Sequence, residues 1–323
     1  MKKDRVLITG ISGFIGEELA QKCLKEGYEV AGLIRQSFRY NDAINRLKGK
    51  VKLYEGSLND YARLANIILD YMPDYVAHLG AITPVSYSFE HPWEVTNTNY
   101  IGTINITEAL KRHCPNLKKF VFASSMETYG HQPEYHKAFK PFNEQTYQMG
   151  ACPYACAKIA AEKYVKYLNY AYAFPGISLR QTNCYGRKDN DYFVAEAFIT
   201  QMLKNKEVNF GNPEPVRNFL YIDDLTDLYL TLFKSDNPEI LGKSFTVGPP
   251  NGITIKELAE IIAAKLNWKG KTNWYTREIR DGEIYYLNSS NKLISQMTGW
   301  RPKVNLSDGL DMTIEYWKKK LGV

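Results

Sequence analysis

Tyr154 and Lys158 stand four residues apart at the start of an apolar-periodic stretch, with Pro153 just ahead of them. Residues at that spacing share a helix face, so the Lys158 ammonium is placed to stabilise a Tyr154 phenolate and to pull a pKa near 10 toward the working range. The chemistry implied is proton abstraction by a tyrosinate. A second Tyr-x-x-x-Lys pair, Tyr316 and Lys320, occurs in this chain of 24 tyrosines and reads as a surface helix. What sets the first pair apart is the upstream run Phe120-Val-Phe-Ala-Ser-Ser125, a short apolar strand ending in two hydroxyls.

A second constellation lies at the N-terminus. Gly10-Ile-Ser-Gly13-Phe-Ile-Gly16 follows the apolar residues 6–9 and opens a helical stretch over 14–24. A strand delivered into a glycine-rich turn sets backbone N–H groups and a helix N-terminus against a pyrophosphate. Three glycines at this spacing are weak evidence alone, but the strand before and the amphipathic helix after supply the context of a dinucleotide site.

These residues need a scaffold, and the remaining pattern describes one. Residues 28–34, 51–54, 75–79, 120–123 and 177–181 read as strands. Between them, residues 61–71, about 92–113 and 154–173 carry apolar side chains at three- and four-residue intervals. Strand alternating with helix predicts an α/β, Rossmann-type doubly wound parallel sheet with right-handed crossovers and its ligand crevice at the carboxyl ends of the strands. Beyond about residue 185 the alternation breaks, with the charged loop Arg187-Lys-Asp-Asn-Asp, a helix over 194–204 and a Gly/Pro-rich segment at 210–215. Segments 224–234 and 244–247 are placed back with the sheet, and 255–266 and 310–320 read as capping helices. The expected division is a dinucleotide-binding domain over 1–184 plus about 216–248, and a smaller substrate-binding domain over about 185–215 plus 249–323.

The 323 residues are 44% hydrophobic and 24% charged, which excludes disordered and collagen-like classes. The first apolar run is too short for a signal peptide and nothing approaches a membrane span, so a cytoplasmic location is expected, with no membrane partner. Five cysteines, odd in number and without paired metal spacing, read as free thiols, and the scattered histidines offer no metal site. The net charge of +6 is spread along the chain, and Lys318-Lys319-Lys320 complements a helix C-terminus. An anionic small molecule fits this balance, and nucleic acid does not.

Taken in order, the motifs resemble those of the extended short-chain dehydrogenase/reductases that modify nucleotide-diphosphate sugars, the epimerase/dehydratase group. They are Gly10-x-x-Gly13-x-x-Gly16, His78-Leu-Gly-Ala81, Asn99-x-x-Gly102-Thr103, Ser124-Ser-Met-Glu-Thr-Tyr-Gly130, Tyr154-x-x-x-Lys158, Arg180-x-x-Asn183-x-Tyr-Gly186, Arg217-Asn-Phe-Leu-Tyr-Ile-Asp-Asp224 and Arg280-Asp-Gly-Glu283. The resemblance implies that Ser125 bonds the sugar's 4-hydroxyl while Tyr154 removes its proton and hydride leaves C4 for a nicotinamide. It implies cofactor contacts from Phe14, Ile15, Ser57, Leu58, Leu79, Ala81 and Asn99, and from Tyr154 and Lys158 themselves. Substrate contacts are implied for Thr83, Asn183, Arg217 and Arg280, the last three around the diphosphate, a role that suits guanidinium groups. The resemblance also implies a homodimer joined through the helices that start near Pro92 and Tyr154.

Two departures refine this. The second strand ends Gly32-Leu-Ile-Arg35-Gln-Ser37-Phe-Arg39, where NAD-dependent members usually carry Asp. Arg35, with Ser37 and Arg39, would welcome a 2′-phosphate that a carboxylate would repel, which favours NADP with NAD as the alternative. Ser57 likewise stands where the family commonly has an Asp near the adenine. In the triplet Ser125-Met126-Glu127, hexose 4,6-dehydratases resemble this chain in their glutamate, which takes the C5 proton, and simple 4-epimerases usually lack it. Met126 cannot act as a general acid. The resemblance is closest to the mannose-type dehydratases and related 4-keto reductases around Arg35 and Ser88-Phe-Glu-His-Pro92. The expected activity is a nucleotide-diphosphate-hexose 4,6-dehydratase, with 4-epimerase or 4-keto reductase as the alternative and a non-catalytic cofactor-binding regulator as the rival of another class.

Overall fold

The computed structural model describes residues 3–35, 41–249, 251–276, 278–279 and 282–323. Seven parallel strands form one sheet. Six of them are β1 (Arg5–Thr9), β2 (Glu29–Ile34), β3 (Lys52–Glu55), β4 (Tyr75–His78), β5 (Lys119–Ser125) and β6 (Gly176–Gln181), and Ser244–Val247 forms the seventh. From edge to edge the order is Ser244–Val247, β6, β5, β4, β1, β2, β3. The chain thus winds outward from β1 in one direction and from β4 in the other, and the order reverses between these two neighbours, where Thr9 pairs with His78. A doubly wound sheet opens its ligand crevice at that switch point.

The central strands are apolar throughout because helices cover both faces. Alternation along β1 sends Val6 and Ile8 into one core, shared with Leu19 and Cys23 of α1 (Phe14–Lys25) and with Leu225, Leu228 and Phe233 of the helix Ile222–Lys234. Leu7 points to the opposite core, packed with Ile67 and Ile68 of Tyr61–Tyr71 and with Val165 and Leu168 of Pro153–Tyr172. A separate apolar cluster, including Phe198, Leu258, Leu310 and Trp317, joins the helices of the C-terminal third to Tyr185.

The expected elements stand with small shifts at their ends. Of the two segments returned to the sheet, only Ser244–Val247 is a strand, paired with β6. Residues 224–234 lie within the helix Ile222–Lys234, whose apolar residues recur at helical intervals along α1. The long helix expected over 92–113 is interrupted by a π turn at Asn97–Ile101. Such single-turn bulges gather at functional sites, and this one aims Asn99 back toward β4.

Candidate active site

The glycine turn is built by close approach. Gly10 adopts φ +73° and a Cβ there would meet the Gly80 nitrogen at 2.9 Å; a Cβ on Gly16 would lie 2.2 Å from the Gly10 carbonyl oxygen. Both positions therefore exclude side chains, as the spacing implies. Gly13 is the N-cap of α1 and offers no side-chain acceptor, so the first-turn N–H groups face the cavity without the usual internal partner.

That cavity has a volume of about 720 Å³, in the range of small-molecule sites. Gly10, Gly13, Phe14, Ile15 and Gly16 line one wall. Arg35, at the end of β2, borders it together with Ser57 and Leu58, and Leu79, Ala81 and Thr83 border it beyond β4. Ser125, Glu127, Tyr154, Lys158 and Asn183 line the far side. Residues drawn from distant parts of the sequence thus face one volume.

Two expected contacts are not brought to it. Asn99 is buried, and its carboxamide accepts from the Ile82 N–H at 2.8 Å and donates to the Ile82 carbonyl at 2.9 Å, which fixes the backbone between Ala81 and Thr83. Asn99 positions the loop rather than lining the cavity. Arg217 is also buried, donating to the Val216 and Ile284 carbonyls and standing 3.5 Å from Glu283. It joins the strand Val216–Arg217 to the segment beyond residue 282. Ser37, Arg39 and Arg280 lie outside the described residues.

Ser125 closes β5 and caps the short 3-10 turn Met126–Tyr129, its Oγ accepting from the Glu127 N–H at 3.2 Å. Its hydroxyl also faces the Tyr154 phenol and favours the phenolate. Burial outweighs this and, with Glu127 nearby, raises the phenol above its ordinary value. Tyr154 is held in the first turn of Pro153–Tyr172, where Pro153 occupies a position that needs no donor and the Cys152 sulfur accepts from the Ala155 N–H. Lys158 Nζ donates to the Ala123 carbonyl at 2.7 Å and lies 5.9 Å from the centre of the Tyr154 ring. Burial lowers its pKa to about 7. In the cofactor-free fold Lys158 does not offset the burial of the Tyr154 phenol. The spacing does place both on one face, but the hydroxyl that acts on the phenol is that of Ser125, and Lys158 is itself pushed toward neutrality by desolvation.

Glu127 projects into the same space, and its Oε2 is enclosed without a hydrogen-bond partner among the described residues. Met126 beside it is buried in an apolar cluster with Tyr129 and Phe142. Behind the site runs a polar chain that sequence reasoning did not identify. The Gly80 N–H donates to Thr9 Oγ1, which lies 2.7 Å from His78 Nδ1; His78 Nε2 lies 3.1 Å from Thr103 Oγ1, and Thr103 donates to the Asn99 carbonyl. With Thr103 donating onward, Nε2 must carry the proton and Nδ1 accept from Thr9, so the imidazole is neutral in a fixed tautomer. Burial agrees, lowering its pKa to about 3. Arg187 and the buried Glu196 also line the cavity and were missed, because the charged loop they order reads in sequence only as a polar connection.

A family model described as GDP-mannose 4,6 dehydratase matches residues 7–313. Human dTDP-D-glucose 4,6-dehydratase is 28% identical over 328 residues, covering 98% of this chain and 90% of that protein. Among solved structures, UDP-glucose 4-epimerase of Thermotoga maritima, determined with UDP-glucose, has 29% identity and a TM-score of 0.88 over 98% of this chain and 99% of that one. UDP-glucose 4-epimerase of Thermus thermophilus, in complex with NAD, has 26% identity and a TM-score of 0.86 over 97% and 99%. The match along almost the whole chain, onto a sheet and glycine turn of this form, makes the protein a member of the GDP-mannose 4,6-dehydratase family of extended short-chain dehydrogenase/reductases, an enzyme family of nucleotide-sugar dehydratases and epimerases.

Proposed function

We propose that this protein oxidises a nucleotide-diphosphate sugar at C4 and carries the product on as a 4,6-dehydratase, with NADP as its recycled cofactor. The observation that carries the reading is the convergence of Ser125, Glu127, Tyr154 and Lys158 on one cavity with the glycine turn. The first-turn N–H groups of α1 would hold the dinucleotide's pyrophosphate. Arg35 would face its ribose, where a cation favours a 2′-phosphate, although the Thermus thermophilus relative is described with NAD.

When bound, the nicotinamide supplies the hydride acceptor for C4 and the hydride donor for C6, and its positive charge offsets the burial that keeps the Tyr154 phenol protonated. Ser125 bonds the 4-hydroxyl and Tyr154 takes its proton. Conversion of C4 to a ketone acidifies C5–H, and the Glu127 carboxylate removes that proton as the C6–O bond breaks. The departing hydroxide requires a proton, which Met126 cannot give. Protonated Glu127 or a water supplies it, the net loss is one water, and a solvent-derived proton is returned to C5 by way of Glu127 as C6 gains the hydride. Asn183 lines the same cavity and would contact the substrate's diphosphate.

The buried thioether of Met126 is also the observation that favours the second reading, a 4-epimerase or 4-keto reductase, because neither needs an acid at C6. Human and Thermotoga maritima relatives fall on the two sides of this division. Incubation with UDP-, GDP-, dTDP- and CDP-hexoses, with products identified by NMR, tests the proposal. A 4-keto-6-deoxy product supports the dehydratase, a C4 epimer the second reading, and no change to any nucleotide sugar would leave a regulatory binding protein instead.

A further inference from the structure

The loop that follows the strand Asn183–Tyr185 is held by a buried acid and delivers a cation to the cofactor side of the cavity. Gly186 turns the chain at φ +106°, where a Cβ would meet the Tyr221 ring at 2.9 Å. The Gly186 and Arg187 N–H groups both donate to Glu196 Oε1, at 2.8 and 2.9 Å, and Glu196 is fully buried. With its backbone fixed this way, Arg187 lays its guanidinium between two rings. The Cζ is 4.6 Å from the centre of Phe14 and 3.8 Å from that of Phe193. Phe14 is the first residue of α1, directly after the Gly13 cap. The cation is therefore stacked against the residue that opens the helix N-terminus of the glycine turn.

The hydrogen bonds of Arg187 leave part of its fork open. Nη1 donates to the Cys184 carbonyl and lies 3.4 Å from Glu196 Oε2, and among the described residues Nε and Nη2 have no protein acceptor. Arg187, Phe14, Gly13 and Phe193 all line the same cavity. A stacked guanidinium with a free edge is suited to bidentate recognition of phosphate oxygens, and stacking limits the rotamer entropy lost on binding. The neighbouring first-turn amides attract the same charge.

We infer that Arg187 is a phosphate-binding residue of this enzyme, meeting the pyrophosphate of the bound dinucleotide beside the glycine turn. The inference rests on the dinucleotide reading of the cavity. Glu196 acts here as a positioning residue, since it fixes the loop backbone and one end of the guanidinium.

Calorimetric titration of the cofactor-free protein with NADP, NAD, ADP-ribose, AMP and UDP tests it. Arg187→Met keeps an apolar stem between the two rings and removes the charge, so NADP, NAD and ADP-ribose should each bind about tenfold to a hundredfold more weakly, the range for a charged hydrogen bond, while AMP, which lacks the pyrophosphate, is unaffected. Affinity for ADP-ribose should also depend less steeply on salt in the variant than in the parent protein. Unchanged ADP-ribose binding would overturn the inference, as would an equal loss for AMP, or a loss confined to UDP, which would place the cation on the substrate. If Arg187→Met does not fold by its thermal transition, Arg187→Lys decides, because a point charge without the fork should bind ADP-ribose severalfold more weakly, and parental affinity would overturn the inference. Failure of the parent protein to bind any dinucleotide is a separate result that removes the underlying reading.

Discussion

The Lys158 ammonium nitrogen stands 5.9 Å from the centre of the Tyr154 ring while hydrogen-bonded to the Ala123 carbonyl, so the two residues share a helix face without a direct bond between their polar atoms. Lys158 is thus a buried cation whose one hydrogen-bond acceptor among the described residues is a neutral carbonyl, and burial carries its pKa down from 10.5 to about 7. Between those values the unfolded chain holds a proton that the folded chain has released. Stability from this group therefore rises with pH across the window and is lowest at and below pH 7.

Lys158→Met is accordingly expected to stabilise the cofactor-free protein at pH 7 while abolishing turnover. The difference from the parent should shrink as pH rises from 7 to 9, by up to ~1.4 kcal/mol per pH unit. Urea unfolding at pH 7, 8 and 9 measures it. The series stops at 9 because buried thiols and phenols such as Cys23 and Tyr71, whose pKa values are raised, lower the stability of both proteins at higher pH. A pH-independent difference would mean that Lys158 stays fully charged in the fold.

Tyr154→Phe keeps the ring and its packing and removes the hydroxyl that meets Ser125. Nucleotide sugar should still bind, while C4 oxidation falls by ~10²–10⁴, the range for loss of a general base. Single-turnover reduction of the nicotinamide is the readout, and near-parental rates would make Tyr154 a structural residue of the helix.

What could be read from the chain before its structure was local. The glycine turn, the helical face shared by Tyr154 and Lys158 and the alternation of strand with helix all depend on residues within a few positions of one another, where periodicity and spacing act. The placements that spacing did not give depend on distant partners. Asn99 was expected at the cofactor, but a π turn directs its amide onto Ile82. Arg217, expected at a phosphate, finds its acceptors in backbone carbonyls near residue 284. Arg187 gains its place only because Glu196 and the rings of Phe14 and Phe193 meet around it. The strengths of Ser125 and Lys158 as influences on Tyr154 were likewise a matter of burial, which spacing does not reveal.

Arg35 borders the cavity at the end of β2, where it is exposed. NADP should bind more tightly than NAD, and Arg35→Asp should reverse the order by replacing attraction for a 2′-phosphate with repulsion and offering an acceptor to the ribose hydroxyls. Parallel titrations of both cofactors measure this. Equal or tighter NAD binding by the parent protein would place the 2′-position out of reach of Arg35.

On the proposed function, Glu127 separates the two fates of the C4 ketone. Its Oε2 is enclosed without a partner among the described residues, close enough to Tyr154 to oppose ionisation of the phenol. An enclosed carboxylate oxygen left without a donor is costly unless a ligand proton comes to it, and the C5–H of a 4-ketohexose is such a proton. In a dehydratase, turnover in deuterated water must leave deuterium at C5, since the proton removed there leaves with the expelled hydroxide and C5 takes up a solvent-derived one as hydride returns to C6. Glu127→Gln should then reduce nicotinamide at C4 at near the parental rate and stall before the C6–O bond breaks. A 4-epimerase needs only to return hydride to the other face of the ketone, so it incorporates nothing at C5 and tolerates the amide. Product without C5 deuterium from a fully active Glu127→Gln enzyme would therefore remove the dehydratase reading and leave the C4 oxidation intact.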